Sequence, residues 1–166
     1  MKTMADLKEL MLSSPRLTLA VAESMTCGRV QARIGAISGA SDFFLGGITA
    51  YAIDQKVKHL GVNRAAAKRV NSVSAQVAEQ MARGACRLFG SDVGLGTTGY
   101  AEPSPAQGAP EAFAWWAIAR RVGDDKFEVA SGRTDCPGLT RTQAQDRVTD
   151  EVLAALLESL TSRSGS

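Results

Sequence analysis

Apolar residues recur along this chain at two spacings, every second residue and every third or fourth, and the two alternate for most of its length. Met4, Leu7, Leu10 and Met11 share one helical face, which predicts a helix over 3–13 ended by Ser13-Ser14-Pro15. Leu17, Leu19 and Val21 then alternate with Thr18, Ala20 and Ala22, as in a short buried strand. Val30, Ile34 and Ile37 return to helical spacing, in a helix running to about Ser38. Gly39–Asp42 reads as a turn and Ile48–Ile53 as a second strand that carries Tyr51. A short helix capped by Asp54 follows, holding Lys56 and Val57 and closing at Gly61. Asn63 starts a small helical segment. Ser74 is placed to cap a longer helix with Val77, Met81, Ala85 and Leu88 as its apolar stripe and Gly90 as its stop. Val93–Thr98 is a third strand. Glu111–Arg121 and Phe127–Ala130, joined by Gly123-Asp124-Asp125, read as a hairpin. Thr140-Arg141-Thr142-Gln143 has the form of a capping box before a last helix with Ala144, Val148, Val152, Leu156 and Leu160 on its buried face, and 161–166 is a polar, frayed tail.

About five strands and five helices, mostly alternating, predict a single three-layer α/β/α domain whose mixed sheet includes one antiparallel hairpin. A length of 166 residues suits one domain, and 45% hydrophobic and 22% charged residues are ordinary for a soluble protein. The net charge is only +2 and no stretch concentrates Lys and Arg, which argues against a nucleic-acid partner. No apolar run reaches the roughly 18 residues of a membrane span, and Asp6, Lys8 and Glu9 break any signal-peptide pattern. Three cysteines, Cys27, Cys86 and Cys136, are odd in number and far apart, so free thiols in a reducing cytoplasm are expected rather than a disulfide framework or a zinc site. His59 is the single histidine, too few for a His-rich metal site or a conventional His relay.

Gly94-Leu95-Gly96-Thr97-Thr98-Gly99 matches a G-x-G-x-x-G string, but a dinucleotide fingerprint requires a helix directly after it. Pro103, Pro105, Gly108 and Pro110 follow instead, so a strand entering a long binding loop fits better.

The candidate chemistry sits at two strand-to-helix junctions. Ser24 lies at the first, where free helix-start N–H groups near Thr26–Gly28 and the macrodipole favour negative charge. Tyr51 and Lys56 straddle the second. In a parallel sheet such junctions gather at the carboxyl ends of the strands, which is how the three could meet. A serine needs a neighbouring base, and with one histidine available a lysine of lowered pKa is the natural substitute. A phenol can relay the proton or orient the base. That set implies acyl transfer, most simply amide hydrolysis. Taken singly, each residue also fits a plainer role: Ser24 or Thr26 as an N-cap, Lys56 as a solvated lysine, Tyr51 as a core tyrosine. Cys27 at a helix start is a weaker nucleophile candidate, and Arg141 could reach a substrate phosphate or carboxylate.

Several stretches together resemble the CinA carboxy-terminal domain family, the nicotinamide mononucleotide amidohydrolases. Leu19 to Gly28 is similar to its A-E-S-C-T-G-G segment, and Gly39-Ala40-Ser41 with Phe43-Phe44-Leu45-Gly46-Gly47 to its G-S-S…F-x-G-G. Tyr51-Ala52-Ile53-Asp54-Gln55-Lys56 with Leu60-Gly61-Val62 resembles Y-S-N-x-x-K…L-G-V. Val73-Ser74 matches an A-V-S, and Thr98-Gly99-Tyr100-Ala101-Glu102-Pro103 a T-G-I-A-G-P loop. The resemblance implies hydrolysis of the carboxamide of nicotinamide mononucleotide to acid and ammonia, without metal or cofactor. It implies Ser24 as nucleophile, Tyr51 and Lys56 as the proton relay, and Thr26, Gly28, Thr98 and Gly99 lining the substrate and oxyanion pocket. Arg141 would meet the phosphate. It further implies a stand-alone, cytoplasmic homo-oligomer acting on a small pyridine nucleotide.

The chain departs from that pattern at Cys27, which replaces a glycine of the helix start, and at Glu102, which replaces a glycine of the loop. Gln145 stands where an arginine is expected. A negative charge at 102 would oppose an approaching phosphate by on the order of 1 kcal/mol at about 4 Å in water, and more if shielded. The competing expectation is a non-catalytic paralogue that binds a small ligand or a partner protein.

Overall fold

The structure is a computed structural model that describes residues 1–164. Five strands, β1 (Leu19–Glu23), β2 (Phe44–Thr49), β3 (Val93–Tyr100), β4 (Ala112–Gly123) and β5 (Lys126–Cys136), form one sheet in the order β2-β1-β3-β4-β5. β1 is parallel to both β2 and β3, whereas β3–β4 and β4–β5 are antiparallel. Six α-helices surround the sheet: α1 (Leu7–Leu12), α2 (Arg29–Gly35), α3 (Ile53–Leu60), α4 (Arg64–Arg69), α5 (Ala75–Phe89) and α6 (Arg141–Ser164). The expected mixed α/β/α arrangement is therefore present.

Alternation along β1 assigns its two faces. Leu19 and Val21 enter a cluster with α1, α2 and α6, through Leu7, Val30, Ile34, Val152 and Leu156. Ala20 and Ala22 face the other way, onto Leu60, Val77, Met81 and Ala85 of α3 and α5. The small side chains on that second face let α5 lie close. A Cβ on Gly94 or Gly96 would run into the backbone of Ala82 or Ala78. The G-x-G-x-x-G string is thus a strand interior shaped for helix packing. β3 continues through Tyr100, and only a short 3₁₀ turn at Pro105–Gln107 follows, so the dinucleotide reading fails.

Several boundaries differ from those expected. β1 starts at Leu19, not Leu17, because Thr18 is clipped sideways by Asp92, whose carboxylate accepts from both its amide and its hydroxyl. β2 starts at Phe44 and ends at Thr49, placing Tyr51 beyond the strand. α2 ends at Gly35, two residues before Ile37. α3 has Ala52, not Asp54, at its N-cap, and the Asp54 carboxylate is held by Arg64. β4 and β5 run longer than expected. The capping box at Thr140 and Gln143 is present, with both reciprocal bonds made. The expected frayed tail is helical through Ser164, because Arg163 donates to the carbonyls of Leu10 and Pro15 and docks the last turn on the α1–β1 connection. Gly165 and Ser166, the end of that tail, lie outside the described residues.

Candidate functional site

β1 is the central parallel strand, and the chain leaves it for β2 on one side and β3 on the other. Its carboxyl end is a topological switch point, the usual place for a ligand crevice in an open α/β sheet. Ser24 is the first residue after β1, and the β2–α3 connection and the end of β3 stand beside it. A cavity of about 510 Å³ opens there, lined by Ser24, Tyr51, Lys56, Thr98 and Gly99 among others.

The turn carrying Ser24 is fixed by a buried polar network that starts at Glu23, a side chain with no solvent exposure. Its carboxylate accepts from the amides of Val30 (2.9 Å) and Gln31 (3.1 Å) at the start of α2, and from the Thr26 hydroxyl (2.6 Å). Because the Thr26 proton is engaged, the Thr97 hydroxyl is the donor in the 2.8 Å contact between the two threonines. The Thr97 oxygen in turn accepts from the Ser24 amide at 3.3 Å. Gln145 on α6 adds a 2.9 Å bond to the Met25 carbonyl. The residue that breaks the expected arginine position thus clamps the serine turn from α6.

This network changes the assignment of the helix start. Glu23 occupies the amides of Val30 and Gln31 in the first turn of α2, beyond the Thr26–Gly28 stretch named from the sequence, and Ser24 caps no helix, since Gly28 is the N-cap at φ +92°. Thr26 is fully buried within the network. Neither Thr26 nor Gly28 lines the cavity. The amides of Met25 and Thr26, directly after the serine, donate to no acceptor among the described residues. Cys27 is exposed and held at φ +48°.

Lys56 is the central finding. α3 delivers it inward, and it is only 2% exposed. Its Nζ lies 2.9 Å from Ser24 Oγ and donates to the Tyr51 carbonyl at 2.6 Å. Among the described residues it has no carboxylate partner within 4.0 Å. Burial without a counter-charge pushes its pKa down from 10.5 to about 8. The Tyr51 side chain is placed differently from the expected relay. It is 54% exposed, and its hydroxyl accepts from Arg141 at 2.8 Å rather than meeting Ser24 or Lys56. Tyr51 therefore reaches the lysine through its main chain.

Thr98 is buried, and its hydroxyl donates to the Ser72 carbonyl at 2.6 Å, tying β3 to the α4–α5 loop across the cavity. Gly99 lines the wall beside it. Arg141, the first residue of α6, bridges Tyr51 and Glu102, with 2.9 Å to the latter, and is not part of the lining. The acid at 102 is thus neutralised by the arginine expected to meet a phosphate. Sequence reasoning passed over Glu23, Thr97 and the Lys68–Val73 wall. Only Glu23 left a signal, a charge closing an otherwise apolar strand just before a helix start. Cys86 and Cys136 are buried, and burial raises both thiols.

Comparison with known proteins agrees with this architecture. A family model for the CinA C-terminal domain matches residues 1–160. A CinA-like protein of a Picosynechococcus species is 52% identical over 93 residues, covering 56% of this chain and 22% of that protein. One from Chlorobium limicola is 36% identical over 144 residues, covering 86% of this chain and 33% of that protein. The chain therefore spans a third or less of the length of these two relatives. Among solved structures, a CinA superfamily protein from Escherichia coli superposes with a TM-score of 0.83 at 26% identity, covering 93% of this chain and 86% of the other. The competence/damage inducible protein of Agrobacterium tumefaciens gives 0.82 at 25% identity, covering 94% and 91%. With the fold, the order of motifs and a match across nearly its whole length in agreement, this chain belongs to the CinA C-terminal domain family.

Proposed function

We propose that this chain is an amidohydrolase that cleaves the carboxamide of nicotinamide mononucleotide, or of a related small amide, to the acid and ammonia. One observation carries the reading: a buried lysine without a counter-ion, its pKa brought to about 8, stands 2.9 Å from a serine hydroxyl at the floor of a cavity. An uncompensated buried ammonium is costly, and a lysine kept in that state beside a hydroxyl is suited to accept its proton.

In its neutral form Lys56 has two N–H donors and one lone pair. One N–H stays on the Tyr51 carbonyl, which aims the lone pair at Ser24. Lys56 takes the serine proton as Oγ attacks the amide carbon. The negative charge forming on the amide oxygen is balanced by the Lys56 ammonium formed in the same step. The lysine ammonium then protonates the departing nitrogen, ammonia leaves, and an acyl-serine remains. Water, deprotonated by the same lysine, releases the acid and restores the hydroxyl. No side chain beyond Ser24 and Lys56 exchanges a proton in this scheme.

The test is ammonia release from nicotinamide mononucleotide and from a panel of small amides, with Ser24→Ala as control. Release by the wild type at least about 10³-fold above the variant is expected. Equal rates for the two proteins on every amide would reject the hydrolase reading.

A further inference from the structure

Among the described residues, the cavity in front of Ser24 is lined by two lysines and by no aspartate or glutamate. Such a lining attracts negative charge. Lys56 is already committed to Ser24 and the Tyr51 carbonyl. Lys68, in the last turn of α4, is the second cation, and it has no carboxylate within 4.0 Å among the described residues. Asp54 feels its charge, but that carboxylate is held by Arg64. Arg141 is in the opposite condition: it stands outside the lining with its guanidinium shared between Glu102 and the Tyr51 hydroxyl.

The wall beside Lys68 is built and braced. Asn71 Nδ2 lies 3.3 Å from the Tyr100 hydroxyl, and both residues line the cavity. That contact uses one amide hydrogen, leaving the second and the phenolic hydrogen for a ligand. The Tyr100 ring meets Phe113 edge-on, with centroids 5.6 Å apart. Asn71 and Ser72 both adopt left-handed backbone, at φ +49° and +62°, in a loop pinned by the Thr98–Ser72 bond. One cation and two neutral donors on a fixed wall match the several oxygens of a phosphate better than the two of a carboxylate.

We propose that Lys68, with the Asn71 side-chain amide and the Tyr100 hydroxyl, forms the anion subsite of this cavity and takes a phosphate monoester at the end of the substrate remote from the amide. The assignment rests on the hydrolase reading for the orientation of the substrate, but phosphate binding is measurable without turnover. Calorimetry on Ser24→Ala protein compares nicotinamide mononucleotide with nicotinamide riboside, which lacks the phosphate. The mononucleotide is expected to bind at least about tenfold more tightly. Lys68→Gln in the same background removes most of that advantage, and Arg141→Gln leaves it. An advantage untouched by Lys68→Gln, lost instead in Arg141→Gln, or absent from the start overturns the subsite. If the advantage follows Lys68 while the wild type releases no ammonia, the subsite stands and the hydrolase reading falls.

Discussion

Lys56 and Ser24 are 32 positions apart in sequence, yet their side chains meet at 2.9 Å behind a single hydrogen-bonded carbonyl. The contact fixes a pH dependence. The proposed reaction requires the neutral amine, so kcat/KM should rise with pH along an acid limb whose apparent pKa is about 8, and level off above it. Stopped assays of ammonia release between pH 6 and 10, in buffers of constant ionic strength, measure that limb. A profile flat through this range would mean that Lys56 is not the base.

The same burial has a consequence for stability. Below about pH 8 the ammonium is present in both folded and unfolded chains and is penalised only in the folded one. Between about 8 and 10.5 the unfolded chain binds more protons, so stability rises with pH across that window. A shift of this size corresponds to about 3 kcal/mol. Lys56→Met removes the titrating group and should therefore gain relative stability at neutral pH. Its advantage over the wild type is expected to shrink by about 3 kcal/mol as the pH is raised through the window. Urea unfolding of both proteins at pH 7 and pH 10 reads the double difference, and an unchanged gap would contradict it.

Tyr51 separates main-chain from side-chain roles. Its carbonyl orients Lys56, whereas its phenol lies in the Arg141 bridge at the cavity mouth. Tyr51→Phe keeps the carbonyl and should leave kcat within about threefold of the wild type, against a loss of at least about 10³-fold for Lys56→Ala. A Tyr51→Phe loss as deep as that of Lys56→Ala would restore the phenol to the proton relay.

The meeting of Ser24 and Lys56 was legible because both follow parallel strands, and strand polarity alone brings such junctions together. The Tyr51 contact was not, since a main-chain carbonyl gives no sign in the residue type. Strand β2 begins at Phe44, before the expected Ile48, because Gly46-Gly47 carry no side chains that would extend the alternating pattern. Here those glycines are interior to the strand, where the side chains of Phe89 and Gln31 occupy the space a Cβ would need. The bonding of the helix start was hidden for a related reason: Glu23 stands out as a charge ending an apolar strand, but residue type does not say that it turns to accept from Val30 and Gln31.

That claim on the helix start gives the last prediction. The Glu23 carboxylate accepts three hydrogen bonds in a site without solvent exposure. In Glu23→Gln the remaining carbonyl oxygen can keep two of them, and the new amide group turns donors toward a donor. One buried N–H then goes unpaired, a loss of about 2 kcal/mol. For a domain of this size that lowers Tm by roughly 4–8 °C. The Ser24 turn hangs from the same network through Thr26 and Thr97, so kcat should fall although the serine and the lysine are both intact. Ser24→Ala is the counterpart, losing activity outright; it gives up only the Lys56 contact and leaves the serine's backbone amide on Thr97, so the turn itself stays in place and Tm falls no further than in Glu23→Gln. Thermal unfolding and turnover of the two variants side by side separate the roles, and a Glu23→Gln protein as stable as the wild type would show that the carboxylate does not hold the turn.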